Sequence, residues 1–204
     1  MAKVVKFPQA VPEKFGVQRA KTRRSVKPDK HGQLNLFTGG KVIRLSQLTP
    51  FEEALMLDEQ GDQQGSRKLY EKAILEDDCQ ADAWCNLGII DFLSHEYAKA
   101  IDCFTRCLEI DPRHFEAHYN LANLYTDAGD YALAKLHYRV SIELQPDFSN
   151  SYFNLGLVLA LEKDYPEAIA ALTSYKERAA NEDHTQVDGL IFALQQGVGS
   201  RQGQ

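Results

Sequence analysis

Residues 119–125 read "YNLANLY", and the Asn-Leu pair inside this mainly apolar run occurs again in "CNLG" and "FNLG". The asparagines of the three copies, Asn86, Asn120 and Asn154, are separated by two equal intervals of 34 residues. A constant interval of this size indicates stacked copies of one supersecondary unit. The repeat therefore decides the fold class before local propensities are considered.

Three blocks of 34 residues, 81–114, 115–148 and 149–182, align position by position. Each block has large residues at some positions and small residues at others, which lets two helices approach closely while bulky side chains fill the space around them. The shared positions are the fourth (Trp84, His118, Tyr152), the seventh (Leu87, Leu121, Leu155), the eighth (Gly88, Ala122, Gly156), the twentieth (Ala100, Ala134, Ala168) and the twenty-fourth (Phe104, Tyr138, Leu172).

Each block is predicted to form two helices joined by a short turn. In the middle block, apolar residues follow the i, i+3, i+4, i+7 spacing of a helix from His118 to Tyr125. Gly129 can end that helix in the left-handed conformation, and Asp130 can cap the next one. Pro146 is expected to stop the second helix.

The repeats extend beyond the three clear blocks. A fainter block at 47–80 keeps some of the shared positions, and its start carries a capping box from Thr49 to Glu52. After 182, an amphipathic stretch is predicted to form a capping helix that covers the last hairpin. The predicted divisions are an irregular arm at 1–46, a repeat array at 47–182, a capping helix at 183–197 and a disordered tail at 198–204.

The aligned positions resemble those of the tetratricopeptide repeat family. The resemblance implies an all-α, right-handed solenoid of about four helix hairpins. It also implies a concave groove, lined by the first helix of each hairpin, that holds a peptide or a helix of a partner protein. On this resemblance the predicted function is a non-catalytic scaffold for protein–protein interactions.

Six side chains beside the core stripe are predicted to line that groove. An asparagine amide offers a donor and an acceptor, so a row of amides could bind the backbone of an extended peptide while two aromatic rings anchor it. This arrangement resembles the asparagine ladder of the repeat domain in O-linked N-acetylglucosamine transferases. The alternative is that the amides bind solvent or the neighbouring helix. The predicted groove residues are Asn86, Tyr119, Asn120, Asn123, Phe153 and Asn154.

The basic side chains with which some members of the family hold an acidic chaperone tail are missing from the expected positions. In those members, Lys and Arg side chains on the groove bind a terminal carboxylate. The sequence places no basic residue there, so binding of a chaperone tail is disfavoured. The residues found instead are Cys85, Tyr119, Asn120, Asn150 and Phe153.

Charge divides the chain into a basic arm and an acidic body. Residues 1–45 carry eleven Lys or Arg against two acidic residues, a net charge of +9, whereas the remainder carries twelve against 27, a net charge of −15. The basic run at 19–30 could bind nucleic acid or another polyanion, or it could lie along the acidic body. In a third possibility, the arm occupies the groove until a partner displaces it.

A short peptide in the arm supports an alternative function. Gln33-Leu34-Asn35-Leu36-Phe37 resembles the motif by which bacterial replication and repair proteins dock onto the sliding clamp. Its docking residues would be Gln33, Leu34, Leu36 and Phe37, and the protein would then be an accessory of DNA replication, repair or transcription. The competing interpretation is that this segment, with 42–45, covers the first hairpin of the array.

No motif in the sequence indicates catalysis. The chain lacks a phosphate-binding loop, a GxSxG elbow and an HExxH metal motif, and we expect no cofactor or small-molecule substrate. The cysteines, Cys79, Cys85, Cys103 and Cys107, form no CxxC pair and are interpreted as packing residues rather than metal ligands. No secretory or membrane-spanning signal is apparent, so a cytoplasmic location is expected.

Overall fold

The computed structural model describes residues 48–180 and 182–202, with side chains as far as residue 197. Within these ranges the chain forms nine α-helices and no strand. The helices are α1 (Pro50–Glu59), α2 (Gln63–Leu75), α3 (Gln80–Leu93), α4 (Tyr97–Ile110), α5 (Phe115–Asp127), α6 (Tyr131–Leu144), α7 (Ser149–Leu161), α8 (Tyr165–Arg178) and α9 (Thr185–Gln202). The arm at 1–46, with its basic run and its docking peptide, lies outside the described residues.

Consecutive helices pair as four hairpins, α1 with α2, α3 with α4, α5 with α6 and α7 with α8. The second helix of each hairpin packs on the first helix of the next, and α9 packs on α8. This arrangement confirms the predicted all-α solenoid of helix hairpins. Each hairpin also falls within one 34-residue block, except that α3 begins one residue early.

The helix boundaries follow the predicted capping signals. The Glu52 backbone N–H donates to Thr49 Oγ1 at 3.3 Å, and the Thr49 N–H donates to Glu52 Oε2 at 2.9 Å, which completes the capping box. Gly129 has a φ of 78° after α5, and Asp130 Oδ1 accepts from the Leu133 N–H at 3.1 Å. The second helix of that hairpin ends at Leu144, before Pro146.

Small residues on the first helices receive large residues from the second helices. A Cβ added at Gly88 would lie 2.7 Å from the ring of Phe104, and one added at Gly156 would lie 2.8 Å from the side chain of Leu172. Both large side chains are fully buried. The prediction that small residues at the eighth block position let the two helices approach closely, with large residues filling the space around them, is therefore confirmed at Gly88 and Gly156.

The last helix is longer than the sequence predicted. It covers the final hairpin with Val187, Leu190 and Leu194, which join the same buried cluster as Leu172. The sequence predicted a disordered tail from 198, but α9 remains helical as far as Gln202. Gly197 lies 3.0 Å (measured from its ideal Cβ position) from the ring of Tyr165 in α8, so the helix still packs on the array at the point where the predicted tail begins.

Helices α3 and α4 differ in how their residues are buried. In α4 the buried residues form one stripe, Ala100, Cys103, Phe104 and Cys107, as in an ordinary amphipathic helix. In α3, by contrast, every residue from Cys85 to Asp91 is buried. Seven consecutive residues span about two turns. The middle of α3 is therefore shielded from water on all sides.

Within the residues that the structure describes, no helix combines the length and hydrophobicity needed to cross a lipid bilayer.

Candidate functional site

The asparagine row lies at the seams between hairpins. The exposed fractions of Asn86, Asn120 and Asn154 are 0%, 1% and 8%, so none of the three amides is open surface. Asn86 Nδ2 donates to the hydroxyl of Tyr70 at 3.2 Å. Asn120 Nδ2 lies 3.8 Å from Cys85 Sγ, its acceptor. In each case the partner belongs to the preceding hairpin.

The network around Asn154 links three helices. Its Nδ2 donates to the hydroxyl of Tyr119 at 3.0 Å and to Asn123 Oδ1 at 2.9 Å, and both acceptors lie on α5. The hydroxyl of Tyr138, on α6, donates to the same Asn123 oxygen at 2.7 Å. Burial raises the pKa of both tyrosines, so their hydroxyls remain protonated donors at neutral pH.

These contacts revise the expected position of the amides. The sequence predicted that they face an open groove, with binding to the neighbouring helix as the alternative, and the observed Nδ2 contacts agree with that alternative. Successive helical residues are about 100° apart, so position six sits next to the core leucine at position seven. There the amide reaches the preceding hairpin. A role of these amides in partner binding stays a prediction.

The two predicted aromatic anchors also belong to the interior. Tyr119 is fully buried and contacts the ring of Phe148 edge-on, with the ring centroids 5.0 Å apart. Phe153 is 3% exposed and packs on Tyr175 at 5.2 Å. Asn123 is half-buried, and it is the most open of the six predicted groove residues.

Replacing Asn154 by alanine should lower the free energy of unfolding by about 1–3 kcal/mol, because it removes two hydrogen bonds and leaves buried acceptors on α5 with fewer donors. Urea unfolding followed by circular dichroism measures the change. Asn150→Ala is the matched control, since Asn150 is half-buried on the same helix. Equal effects of the two substitutions would show that the amide of Asn154 does not join the hairpins.

A cluster of two thiols and an imidazole was missed by the sequence analysis. The ligand atoms of Cys85, Cys107 and His114 all lie within 4.8 Å of one another, and all three residues are buried. Asp82 Oδ1 lies 3.0 Å from His114 Nε2, and Glu116 Oε2 lies 3.3 Å from His114 Nδ1. Spacing along the sequence does not reveal the cluster, because its members come from α3, α4 and the start of α5.

Burial and hydrogen bonding have opposite effects on the pKa values of His114 and Cys107 in this cluster. Burial lowers the pKa of His114, but the hydrogen bond to Asp82 and the contacts with Cys107 and Glu116 outweigh it and raise the pKa to about 10. Hydrogen bonding to Cys85 lowers the pKa of Cys107 to about 7, with a contribution from His114 and against the effect of burial. Burial raises the pKa of Cys85 well above its ordinary value. The surrounding groups therefore favour the protonated form of the His114 imidazole.

A second histidine contact lies outside this cluster. His118, which was predicted to pack, places its Nδ1 3.0 Å from the Nδ1 of His137 on α6, and its Nε2 lies 3.3 Å from the carbonyl oxygen of Pro112. A neutral His118 that donates to this carbonyl has an Nδ1 that accepts, so His137 is the donor between the rings. His137 also stacks on Tyr125, with ring centroids 5.6 Å apart.

Acidification should lower the free energy of unfolding through the His118–His137 pair. Burial and the nearby His118 lower the pKa of His137 to about 4, and burial lowers that of His118. Unfolded histidine has a pKa of about 6.5, so the unfolded chain binds more protons as pH falls from about 6.5 towards 4 and stability is lost in that window. Unfolding free energies at several pH values should show a shallower loss for His137→Gln. An unchanged slope would contradict the assignment.

Comparison with protein-family models assigns the repeats. Two models described as tetratricopeptide repeat match residues 79–147 and 119–183. Together they cover just over half of the chain and include the three clear sequence blocks. The chain belongs to the tetratricopeptide repeat family. Membership agrees with the helix hairpins and with the 34-residue interval.

Curated relatives share these repeats over part of their length. The chain is 30% identical over 153 residues to the PEX5-related proteins of mouse and human, covering 73% of this chain but only 27% and 24% of those proteins. It is 28% identical over 117 residues to a BBSome complex member BBS4 homolog of Drosophila melanogaster, covering 56% of this chain and 24% of that one. The chain thus spans about a quarter of the length of these relatives.

Solved tetratricopeptide repeat structures show the same fold at low identity. MamA superposes with a TM-score of 0.63 at 19% identity, covering 76% of this chain and 83% of that one. The first tetratricopeptide repeat domain of Spaghetti (RPAP3), bound to the HSP90 peptide SRMEEVD, superposes with a TM-score of 0.54 at 20% identity, covering 58% and 93%. These identities establish the likeness of fold alone.

Proposed function

We propose that this chain is a non-catalytic scaffold that binds a partner protein, as an extended peptide or a helix, on the side formed by the first helices of its hairpins. The observation that carries the proposal is the side-by-side arrangement of the first helices. Helix α3 contacts α5, and α5 contacts α7, so these helices form one continuous side of the array. A row of neighbouring helices is long enough to receive an extended peptide or a helix.

The peptide-bound RPAP3 structure supports the proposal by analogy of fold, since the same type of array holds a heptapeptide there. The chemistry of the partner should differ, however. The positions where a chaperone-tail clamp has basic residues hold Cys85, Tyr119 and Phe153 in this chain, and these side chains are buried. Residues 46–204 carry a net charge of −15. We therefore expect a segment with basic side chains rather than an acidic tail.

Affinity capture with the full-length chain tests the proposal. The bait carrying Asn120→Ala and Asn154→Ala should lose proteins that the wild type captures, because the substitutions disturb the packing and the amide row along the first helices. A control bait carries Leu133→Ala and Leu136→Ala on the exposed side of α6, where the leucines are 37% and 55% exposed, and should keep its partners. Unfolding midpoints of all baits must lie above the temperature of the capture.

A third bait separates the scaffold from the alternative of arm-mediated docking. It carries Leu36→Ala and Phe37→Ala in the peptide that resembles a clamp-binding motif. The scaffold proposal expects this bait to behave as the wild type. Loss of partners with this bait, together with retention by the asparagine variant, would contradict the scaffold proposal and place docking in the arm.

Removal of residues 1–32 should strengthen partner binding if the basic arm competes for the acidic array. The arm segment 1–45 carries a net charge of +9, and attraction between exposed charges weakens as salt rises. The gain in affinity should therefore be largest at low ionic strength, measured by titrating the captured partner into both forms. An equal affinity at low salt would exclude competition by the arm.

A further inference from the structure

The thiols of Cys85 and Cys107 meet the imidazole of His114 where α3, the end of α4 and the start of α5 come together. The two sulfur atoms and one nitrogen of the imidazole lie within 4.8 Å of one another. The exposed fractions are 0%, 0% and 1%. The three ligands come from both helices of one hairpin and from the entry to the next, so anything bound among them would join two repeats.

The ligand types are those of a zinc centre. Thiolate and imidazole bind Zn²⁺ in preference to the hard cations Mg²⁺ and Ca²⁺, which favour oxygen. Zinc lies about 2.3 Å from a thiolate sulfur and about 2.0–2.1 Å from an imidazole nitrogen, so tetrahedral ligand atoms lie roughly 3.5–4 Å apart. The observed atoms, which lie within 4.8 Å of one another, would move closer together to reach that spacing.

Two carboxylates lie beside the imidazole and can act as the hydrogen-bond partner that a zinc-binding histidine commonly has. Asp82 Oδ1 is 3.0 Å from His114 Nε2, and Glu116 Oε2 is 3.3 Å from Nδ1. A histidine that binds zinc through one nitrogen commonly donates from the other to a carboxylate, which fixes its orientation. One carboxylate can hold the ring in this way, and the fourth zinc ligand would be a water molecule or the other carboxylate after a change of side-chain conformation.

Metal binding requires the imidazole to exchange one of its present contacts. In its neutral form, the only form that leaves a nitrogen free to accept, His114 accepts from the Ala117 N–H through Nδ1 at 3.2 Å and so caps α5, while Nε2 faces Asp82. A metal bound at Nδ1 would replace the backbone donor at a helix N-terminus, and a metal bound at Nε2 would replace the contact with Asp82. In both cases one carboxylate contact to the ring is retained.

Packing alone does not explain why these groups meet. Cys103 provides the comparison on the same helix, because it is a buried thiol that contacts Asp91 and has no imidazole beside it. Two thiols and an imidazole in close contact, with two carboxylates beside the imidazole, match a metal site more closely than a single buried thiol does. We propose that Cys85, Cys107 and His114 bind a structural Zn²⁺ ion that joins the second repeat, 81–114, to the third, 115–148.

Cobalt spectroscopy on the full-length chain tests the proposal. The protein is reduced, freed of metal and titrated with Co²⁺, whose bonds to thiolate give an intense near-ultraviolet band and whose tetrahedral geometry gives visible bands. We expect saturation at one cobalt per chain, loss of the bands on addition of Zn²⁺ and a higher unfolding midpoint with zinc. A reduced, folded chain that gives no such bands would overturn the proposal without reference to any variant.

Variants then assign the ligands. Cys85→Ser and Cys107→Ser should each weaken the near-ultraviolet band, whereas Cys103→Ser should leave it unchanged. Of Asp82→Asn and Glu116→Gln, the substitution that removes the carboxylate beside the ring nitrogen not bound to the metal should keep the band but lower zinc affinity by about 10–100-fold. Bands that survive in the Cys85→Ser/Cys107→Ser double variant, or that disappear with Cys103→Ser, would place the metal elsewhere and overturn the assignment.

Discussion

Phe104→Ala is expected to lower the free energy of unfolding by about 3–5 kcal/mol, the range for removing a large aromatic side chain from a packed core. The ring of Phe104 is fully buried and lies directly against Gly88, which has no side chain to fill the space that alanine would leave. Denaturant unfolding of the purified variant measures the loss. The expected effect is large because the two helices of the hairpin meet through this ring.

Leu136→Ala is the control for this prediction. Leu136 is a large apolar residue on a second helix, as Phe104 is, but it is 55% exposed. Its truncation should change the unfolding free energy by less than about 1 kcal/mol. A similar loss from both substitutions would mean that Phe104 is not a core contact of the hairpin.

Arg67→Met is expected to destabilise the protein by about 2–3 kcal/mol. Arg67 on α2 forms an ion pair with Asp91 on α3, whose side chain is only 5% exposed. Removal of the guanidinium leaves a buried carboxylate that still accepts from the thiol of Cys103 at 3.6 Å. The estimate lies below the range of about 3–5 kcal/mol for fully buried pairs, since the side chain of Arg67 is 35% exposed.

A double substitution distinguishes loss of charge compensation from loss of packing. Arg67→Met/Asp91→Asn removes both charges and should be more stable than Arg67→Met alone, because the buried carboxylate is gone. Lys72→Met serves as the surface control, since the Lys72–Glu76 pair is half exposed and should contribute less than about 0.5 kcal/mol. A double variant that is less stable than the single one would contradict the account of Asp91.

The hairpins and their ends were predictable because they follow from the repeat. The 34-residue interval predicted the number of helices in the array, and the small residue at the eighth position predicted that the two helices approach closely at Gly88. The structure then shows that Phe104 fills the space there. The turn after each first helix is also shared. Gly61, His95, Gly129 and Lys163 lie 34 residues apart, and all four have positive φ values. The sequence identified only the glycine of the middle block as such a turn residue.

The orientation of the asparagine row was not predictable from periodicity alone. The repeat shows that Asn120 lies beside the core stripe, but the stripe has two sides, one towards the groove and one towards the preceding hairpin. The relative placement of consecutive hairpins decides between them, and a single sequence does not contain that placement. The same holds for Tyr119, whose burial depends on Phe148 at the entry to the next repeat.

The thiol–imidazole cluster could have been found from the register of the hairpin. The contact between Gly88 and Phe104 fixes how the antiparallel helices α3 and α4 align. Cys85 lies three residues before Gly88, and Cys107 lies three residues after Phe104, so the two cysteines face each other across the antiparallel helices. His114 follows as the residue that caps the next helix. The signal was therefore present, but it requires comparison across helices rather than along one helix.

Hydrogen–deuterium exchange of the full-length chain, with and without a captured partner, tests most directly whether the first helices form the binding face. The account predicts that the partner slows exchange in α3, α5 and α7 while α4 and α6 change little. Slower exchange confined to the second helices, or to residues 1–45, would contradict it.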